Sequence, residues 1–417
     1  MRLIQQKYVL CLVLLHCQVL ILVAQQIFQE QRVSPSEFVV MAWGPTPPDP
    51  QQIQGMKEAG INIAGFAATK DLSVFERGGI QVFVSDPRIN GYNFAEPLDS
   101  ELVRRNVQAV AKEVGNSPAV IGFLLRDEPQ AKSVPGLRLV AEQVQEIMPG
   151  KLLYVNLLPS RASKDLMGVA SYGEYVRLVV DALKQPFLSY DNYSLVNDQM
   201  DVDFYTNLEK IREISLGVKV AFWNCVLSNA HFDYMENTDA TYHLQAYATM
   251  AYGGRGIQYF SYFTWPIGNF RLGPVDQFGN KTASWDMLRR INNEIHILAP
   301  TLKKLKSTGV YHYPGAPPVG KPLSESQYVK SLATTQSHLI PNTAEGSFIV
   351  GEFIDDQGRP YFMLVNKDLK NSFHFDITLR KSGSKLIHIS PYSGKEENST
   401  DEMNWVAPGA GHLFRIN

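Results

Sequence analysis

From Phe38 onward, short apolar runs alternate with longer amphipathic stretches, and the alternation completes eight rounds before residue 306. The runs are FVVMAW (38–43), INIAGF (61–66), IQVFVSD (80–86), VIGFLLRDEP (120–129), LLYVNLLP (152–159), FLSYDNY (187–193), VKVAFWNCVLS (218–228) and GIQYFSYFTW (256–265). They are apolar throughout rather than alternating, as expected of parallel strands buried on both faces. The stretches between them carry helical periodicity: in Leu102–Val114, apolar residues recur at 103, 107, 110 and 114. Eight strand-then-helix units over roughly 260 residues predict an α/β fold, a (β/α)8 TIM barrel. An open doubly wound sheet would want a glycine-rich phosphate turn after its first strand, and the sequence there is WGPTPPDP. Beyond Lys306 the texture changes. A Pro- and Gly-rich stretch reads as a linker (307–324), and short alternating runs with a DDQG turn at 355–358 predict a small all-β sandwich over 325–417. The barrel domain is then 25–306.

The first 24 residues have a basic start (Arg2, Lys7) and an apolar run from Tyr8 to Ala24, interrupted at His16, Cys17 and Gln18. That layout predicts a signal peptide cut after Ala24, hence a secreted, periplasmic or cell-envelope protein with no stable membrane insertion after cleavage. Of the three cysteines, Cys11 and Cys17 fall in the signal, so Cys225 has no intramolecular partner. With 39 Lys+Arg against 41 Asp+Glu and no basic block, nucleic acid is excluded as the main partner. There is no zinc-type spacing, phosphate loop or Gly-x-Ser-x-Gly elbow, so neither cofactor nor metal is expected.

In such a barrel the site sits at the C-terminal ends of the strands. The polar and aromatic residues there are Trp43, Asp86, Asp127 with Glu128, Asn156, Asp191 with Tyr193, Asn224, and Tyr262 with Trp265. Carboxylates and amides bond hydroxyls and aromatic faces stack on sugar rings, so the partner expected is a carbohydrate. Arg126-Asp127-Glu128-Pro129 is the strongest signal, because acidic side chains closing an apolar strand are costly unless paired or functional. The functional reading makes Glu128 a general acid/base, with Asp127 holding a substrate hydroxyl or orienting Glu128. Trp43 and Trp265 are candidate sugar platforms. Asp86, Asn156, Tyr193, Asn224 and Tyr262 are further candidate substrate contacts. Cys225 reads as packing, and His231 as a loop histidine that could bond substrate.

GFLLRDEP, Ser189-Tyr-Asp-Asn-Tyr193, Ala221-Phe-Trp223 and LQAYATMAYGGRGIQYFSYFTW (244–265) together resemble, in chain order, clan A of the glycoside hydrolases, and most of all the family 42 β-galactosidases. The resemblance covers about residues 38–300. It implies that Glu128 is the acid/base, with Asp127 where the clan usually has Asn. One departure stands out: the clan's nucleophile is a Glu closing the seventh strand, and FWNCVLSNAHF (222–232) holds no carboxylate. Asp191 is the first candidate to replace it, as an inverting base or unusual nucleophile. Glu236 or Asp233, folding back from the following loop, is the second. Loss of hydrolysis is the third. The function expected is a secreted glycoside hydrolase cleaving O-glycosidic bonds of a poly- or oligosaccharide. The alternatives are a non-catalytic glycan-binding barrel and, further off, a polysaccharide lyase using Tyr193 and Arg126.

Overall fold

The computed structural model describes residues 38–336 and 345–417; the signal-peptide reading of 1–24 lies outside the described residues. Eight parallel strands close into a barrel: β1 (Val39–Trp43), β2 (Ile63–Ala67), β3 (Gln81–Val84), β4 (Val120–Asp127), β5 (Leu152–Leu157), β6 (Phe187–Asp191), β7 (Ala221–Leu227) and β8 (Gly256–Phe260). Closure comes from β1 pairing with β8 over its whole length, Val39 opposite Gly256 through Trp43 opposite Phe260. The main helices, one after each strand, are α1 (Pro50–Glu58), α2 (Leu72–Gly78), α3 (Ser100–Val114), α4 (Val134–Ile147), α5 (Tyr172–Leu183), α6 (Val202–Val218), α7 (Asp239–Ala251) and α8 (Ala283–Leu302).

Each strand buries both faces, and that is why the runs read as continuously apolar. Outward residues such as Val40, Leu153, Val155, Phe222 and Val226 join the helices' inner faces in one large core. α3 shows how a helix meets it: Asp99 caps its first turn by accepting from the N–H groups of Glu101 and Leu102, and Val103, Val107, Val110 and Val114 form the buried stripe. Inward residues fill the lumen, among them Val39, Met41, Ile63, Phe83, Tyr154, Phe187 and Trp223. Phe187 and Trp223 stack with centroids 3.7 Å apart. A side chain on Gly256 would stand 2.6 Å from Trp223 and 2.9 Å from Val39, so only glycine lets the indole close the floor of the barrel.

The C-terminal region holds a seven-stranded sheet, in the order β10-β9-β12-β13-β18-β15-β16, facing a three-stranded one, β11-β14-β17. The strands are β9 (Lys306–Tyr313), β10 (Lys321–Pro322), β11 (Val329–Thr335), β12 (Phe348–Ile354), β13 (Pro360–Asn366), β14 (Phe373–Leu379), β15 (Leu386–Ile389), β16 (Glu396–Asn398), β17 (Trp405–Val406) and β18 (Gly411–Ile416). Phe348, Phe362, Phe373, Phe375 and Phe414 form the core between the sheets. The expected linker therefore needs correction: its first seven residues, 307–313, belong to β9, which runs antiparallel to β12. The alternating STGVYHY pattern is strand-like, and the Pro/Gly cluster begins only after it. The sandwich's other face packs on α7. A Cβ on Gly351 would lie 2.1 Å from the Ala251 carbonyl oxygen, and Tyr252 Oη sits 2.8 Å from His312 Nε2.

Candidate active site

Above the apolar floor the lumen turns polar, through residues that share the inward register of β5, β6 and β8. A continuous chain of hydrogen bonds crosses it. Trp43 Nε1–H donates to Tyr154 Oη at 3.0 Å, and Tyr154 donates to Gln258 Oε1. Gln258 Nε2 donates to Ser189 Oγ at 2.6 Å, Ser189 Oγ to Asn156 Oδ1 at 2.8 Å, and Asn156 Nδ2 to Asp127 Oδ1 at 3.2 Å. Tyr154, Ser189, Gln258 and Asn156 are fully buried. A satisfied buried network of this kind holds its members in single rotamers, so Asp127 is aimed by a chain that begins at the aromatic wall.

Glu128 follows on a left-handed turn at φ 45°, its N–H donating to the Asn156 carbonyl at 2.8 Å. A non-glycine residue there stores about 1–2 kcal/mol. The turn changes the direction of the chain where the strand would otherwise send consecutive side chains to opposite faces, and both carboxylates are exposed. Tyr175 Oη donates to the Pro129 carbonyl at 2.8 Å and anchors the turn from α5.

Asp191 closes β6 and lies within hydrogen-bonding reach of Glu128 and Tyr193. Burial, then the charges of Glu128 and Asp127, drive its carboxyl well above the usual carboxylate range. Its Oδ1 is shut off from solvent without a hydrogen-bond partner. Asp127 opens to solvent on one side but is ringed by protein; desolvation pushes it up to about 6, against the Asn156 bond, with the Glu128 charge adding to the rise.

The walls are aromatic. Trp43 meets Phe66 edge-on at 5.3 Å and Phe260 at 5.2 Å. Tyr193 stacks on Phe260 at 5.0 Å, and Trp265 packs on Phe260 and Phe270. His231 is buried flat against Phe270 at 4.5 Å, with Nδ1 2.8 Å from the Asn229 carbonyl, and burial lowers its pKa.

Trp43, Asp127, Glu128, Asn156, Asp191, Tyr193 and Trp265 are thus brought to one mouth. Three expected residues are not. Asp86 caps the one-turn helix Pro87–Asn90 and is held by Arg88 at 2.7 Å, which also grips Glu113 at 2.6 Å; the Arg88 bonds lower its pKa. Asn224 faces outward between Phe222 and Val226 and donates to Thr249 Oγ1 of α7 at 2.9 Å. Tyr262 is buried against α8, accepting from Trp285 Nε1 at 2.9 Å. In place of Asn224, β7 presents Cys225 to the lumen, 3.4 Å from Tyr193 Oη. Burial raises that thiol well above its ordinary value, so it is no nucleophile. Tyr154, Ser189, Gln258 and Phe260 escaped the sequence reading. Counting every second residue back from Asn156 and Asp191 would have found Tyr154 and Ser189.

The repairs considered for the absent seventh-strand carboxylate also meet the geometry. Glu236 is turned to Arg271 at 2.9 Å, and Asp233 is exposed on its loop. Asp191 closes β6 beside Glu128, half-buried. A separate cavity of about 460 Å³ opens at the opposite end of the barrel, around Trp223, Arg255, Lys303 and Lys306. It has no acidic lining residue, and strand polarity puts the chemistry at the other end.

The fold is a closed (β/α)8 barrel with a polar, aromatic-walled mouth. Among solved structures, the chain is similar to β-galactosidases from the psychrophilic Marinomonas ef1 (12% identity, TM-score 0.50, 66% of this chain and 63% of that one) and from Rahnella sp. R3 (11%, 0.52, 68% and 59%). It is likewise similar to a catalytic mutant of a family 42 β-galactosidase from G. stearothermophilus (10%, 0.51, 64% and 58%). It spans about three-fifths of the length of each, and the likeness is one of fold. No protein-family model and no curated protein matches the chain.

Proposed function

We propose that the chain is a glycoside hydrolase that cleaves O-glycosidic bonds with Glu128 as general acid/base. The observation that carries this reading is a cluster of three carboxylates, exposed Asp127 and Glu128 with half-buried Asp191 beside them, under an aromatic mouth. Neighbouring carboxyls disfavour joint ionisation, and in this reading the two share the proton that catalysis uses. Glu128, the member open to the mouth, passes that proton to the leaving oxygen, while Asp191 stabilises it from behind. Trp43 and Trp265 offer faces to sugar rings. Asp127, aimed by Asn156, bonds the ring next to the scissile bond. The substrate is an oligo- or polysaccharide. Export belongs to the same proposal, and mature protein beginning at Gln25 is its check.

The test is hydrolysis of a glycan library by the wild type and by Glu128→Gln, which preserves shape and removes the proton chemistry. A loss of about 10²–10⁴ in kcat, with ligand affinity kept, is expected. Equal turnover by both proteins refutes the role of Glu128. Binding without turnover by either would move the protein to the non-catalytic glycan-binding reading.

A further inference from the structure

Hydrolysis by a lone acid leaves one need unmet: something must attack, or hold, the anomeric carbon. Among the described residues the mouth offers no free second carboxylate opposite Glu128. Cys225 stands at the lumen end of β7, bonded to Tyr193. Asp191 is half-buried with Oδ1 closed to solvent, and Glu236 is paired to Arg271. What the mouth does offer is unusual in another way: two consecutive exposed carboxylates, Asp127 and Glu128, with Glu128 in the left-handed conformation. Asp127 is not merely near. The chain Trp43–Tyr154–Gln258–Ser189–Asn156 fixes one of its oxygens, while the residue stays exposed. A carboxylate oriented that strictly suits a directional bond to a single N–H better than a diffuse charge effect. The same chain starts at Trp43, whose ring lies against Phe66 and Phe260.

We propose that the sugar at the scissile bond carries a 2-acetamido group, and that its carbonyl oxygen is the nucleophile. Asp127 holds and accepts its N–H proton, and Glu128 acts as acid and then base. This rests on the hydrolase reading above. In the first step the acetamido oxygen bonds to C1 as the C1–O bond to the leaving group breaks. The leaving oxygen takes the Glu128 proton and the amide N–H proton passes to Asp127, giving a neutral oxazoline. In the second step water bonds to C1 and yields a proton to Glu128. The C1–oxazoline oxygen bond breaks, and nitrogen recovers its proton from Asp127. One water is consumed and configuration is retained. Exceptions to the two-carboxylate scheme of this substrate-assisted kind exist among glycosidases.

The experiment compares aryl 2-acetamido-2-deoxyhexosides with the matching 2-hydroxy hexosides, both anomers, alongside polysaccharides, on the full-length mature protein. A series with one, two and three fluorines on the N-acetyl methyl is included. The acetamido substrates are expected to turn over at least a hundredfold faster than their 2-hydroxy partners, with kcat falling at each added fluorine. Asp127→Asn is expected to lose at least a hundredfold in kcat on them. If that variant fails to fold, the fluorine series gives the same answer on unaltered protein. Turnover of 2-hydroxy sugars at an equal or higher rate, or indifference to fluorine, overturns this inference and leaves the hydrolase reading standing. No turnover of any sugar removes the hydrolase reading and this one with it.

Discussion

Asn156→Leu isolates the bond that aims Asp127. The change keeps the number and branching of side-chain heavy atoms and removes the Nδ2–H that donates to Asp127 Oδ1 at 3.2 Å, the largest influence opposing desolvation at that carboxyl. A hydrogen bond to a charged group contributes about 1.5–3 kcal/mol, and one pKa unit corresponds to about 1.4 kcal/mol. Asp127, pushed up to about 6 in the native protein, is therefore expected to rise by one to two units, to roughly 7–8. Its other neighbours keep their partners, because Ser189 Oγ still bonds Gln258 at 2.6 Å and Tyr154 at 3.0 Å. The assay is a ¹³C NMR titration of protein labelled at the Asp side-chain carboxyl, with Asp127→Asn assigning the resonance. It needs no substrate, so it tests the electrostatics whatever the enzyme cleaves. Linkage has a definite sign. A carboxyl whose folded pKa lies above its unfolded value favours the folded state below the unfolded pKa, about 3.9, and loses that contribution as pH rises through the folded pKa. The Leu variant's extra loss against wild type therefore accrues between roughly pH 6 and 8. Because Asp127 is exposed on one side, screening holds this to about 1 kcal/mol. An Asp127 titration that stays put or moves down would refute the role assigned to Asn156.

Other changes separate positioning from chemistry. Asp191→Asn keeps a neutral donor to Glu128 and is expected to retain more activity than Asp191→Ala, while the alkaline limb of the pH–rate profile moves; identical losses in the two variants would remove the shared proton. Asp86→Ala breaks a buried pair with Arg88 and is expected to cost about 2–4 kcal/mol in denaturant unfolding with kcat unchanged. Because the Asp86 pKa is lowered, its contribution is present above the ordinary Asp range and fades as pH falls, so the difference between variant and wild type shrinks in acid. Cys225→Ser is expected to keep kcat within about threefold, since a protonated buried thiol takes no covalent part; abolished turnover in a folded variant would restore a nucleophilic reading.

Strand order and helix placement were legible because a doubly buried parallel strand needs an unbroken apolar run and its helix needs a 3.6-residue stripe, and both patterns are written locally. Glu128 and Asp127 were legible because acidic residues at the end of such a run demand a reason. The same unbroken apolarity hid which face each residue takes. In an alternating strand, hydrophobicity marks the inside; in AFWNCVL both faces are apolar, so Asn224 and Cys225 could not be told apart until β7 was set between β6 and β8. Tyr262 looked like a site aromatic for the same reason: it follows the strand by two residues, yet its hydroxyl belongs to Trp285 on α8. Asp86 carried the right chemistry, but Arg88, two residues on and itself anchored by Glu113, claims it.

What the sequence determined by itself was the eightfold alternation, the β region after it, and the absence of a carboxylate closing the seventh strand, since each is a matter of local pattern or of plain residue identity. Tertiary structure alone decided that Asp191 lies against Glu128, that Glu236 turns away to Arg271, and that a hydrogen-bonded chain from Trp43 aims Asp127. Those relations depend on barrel register, which brings together side chains that are 29 to 111 positions apart along the chain and leaves no trace in any short window of it.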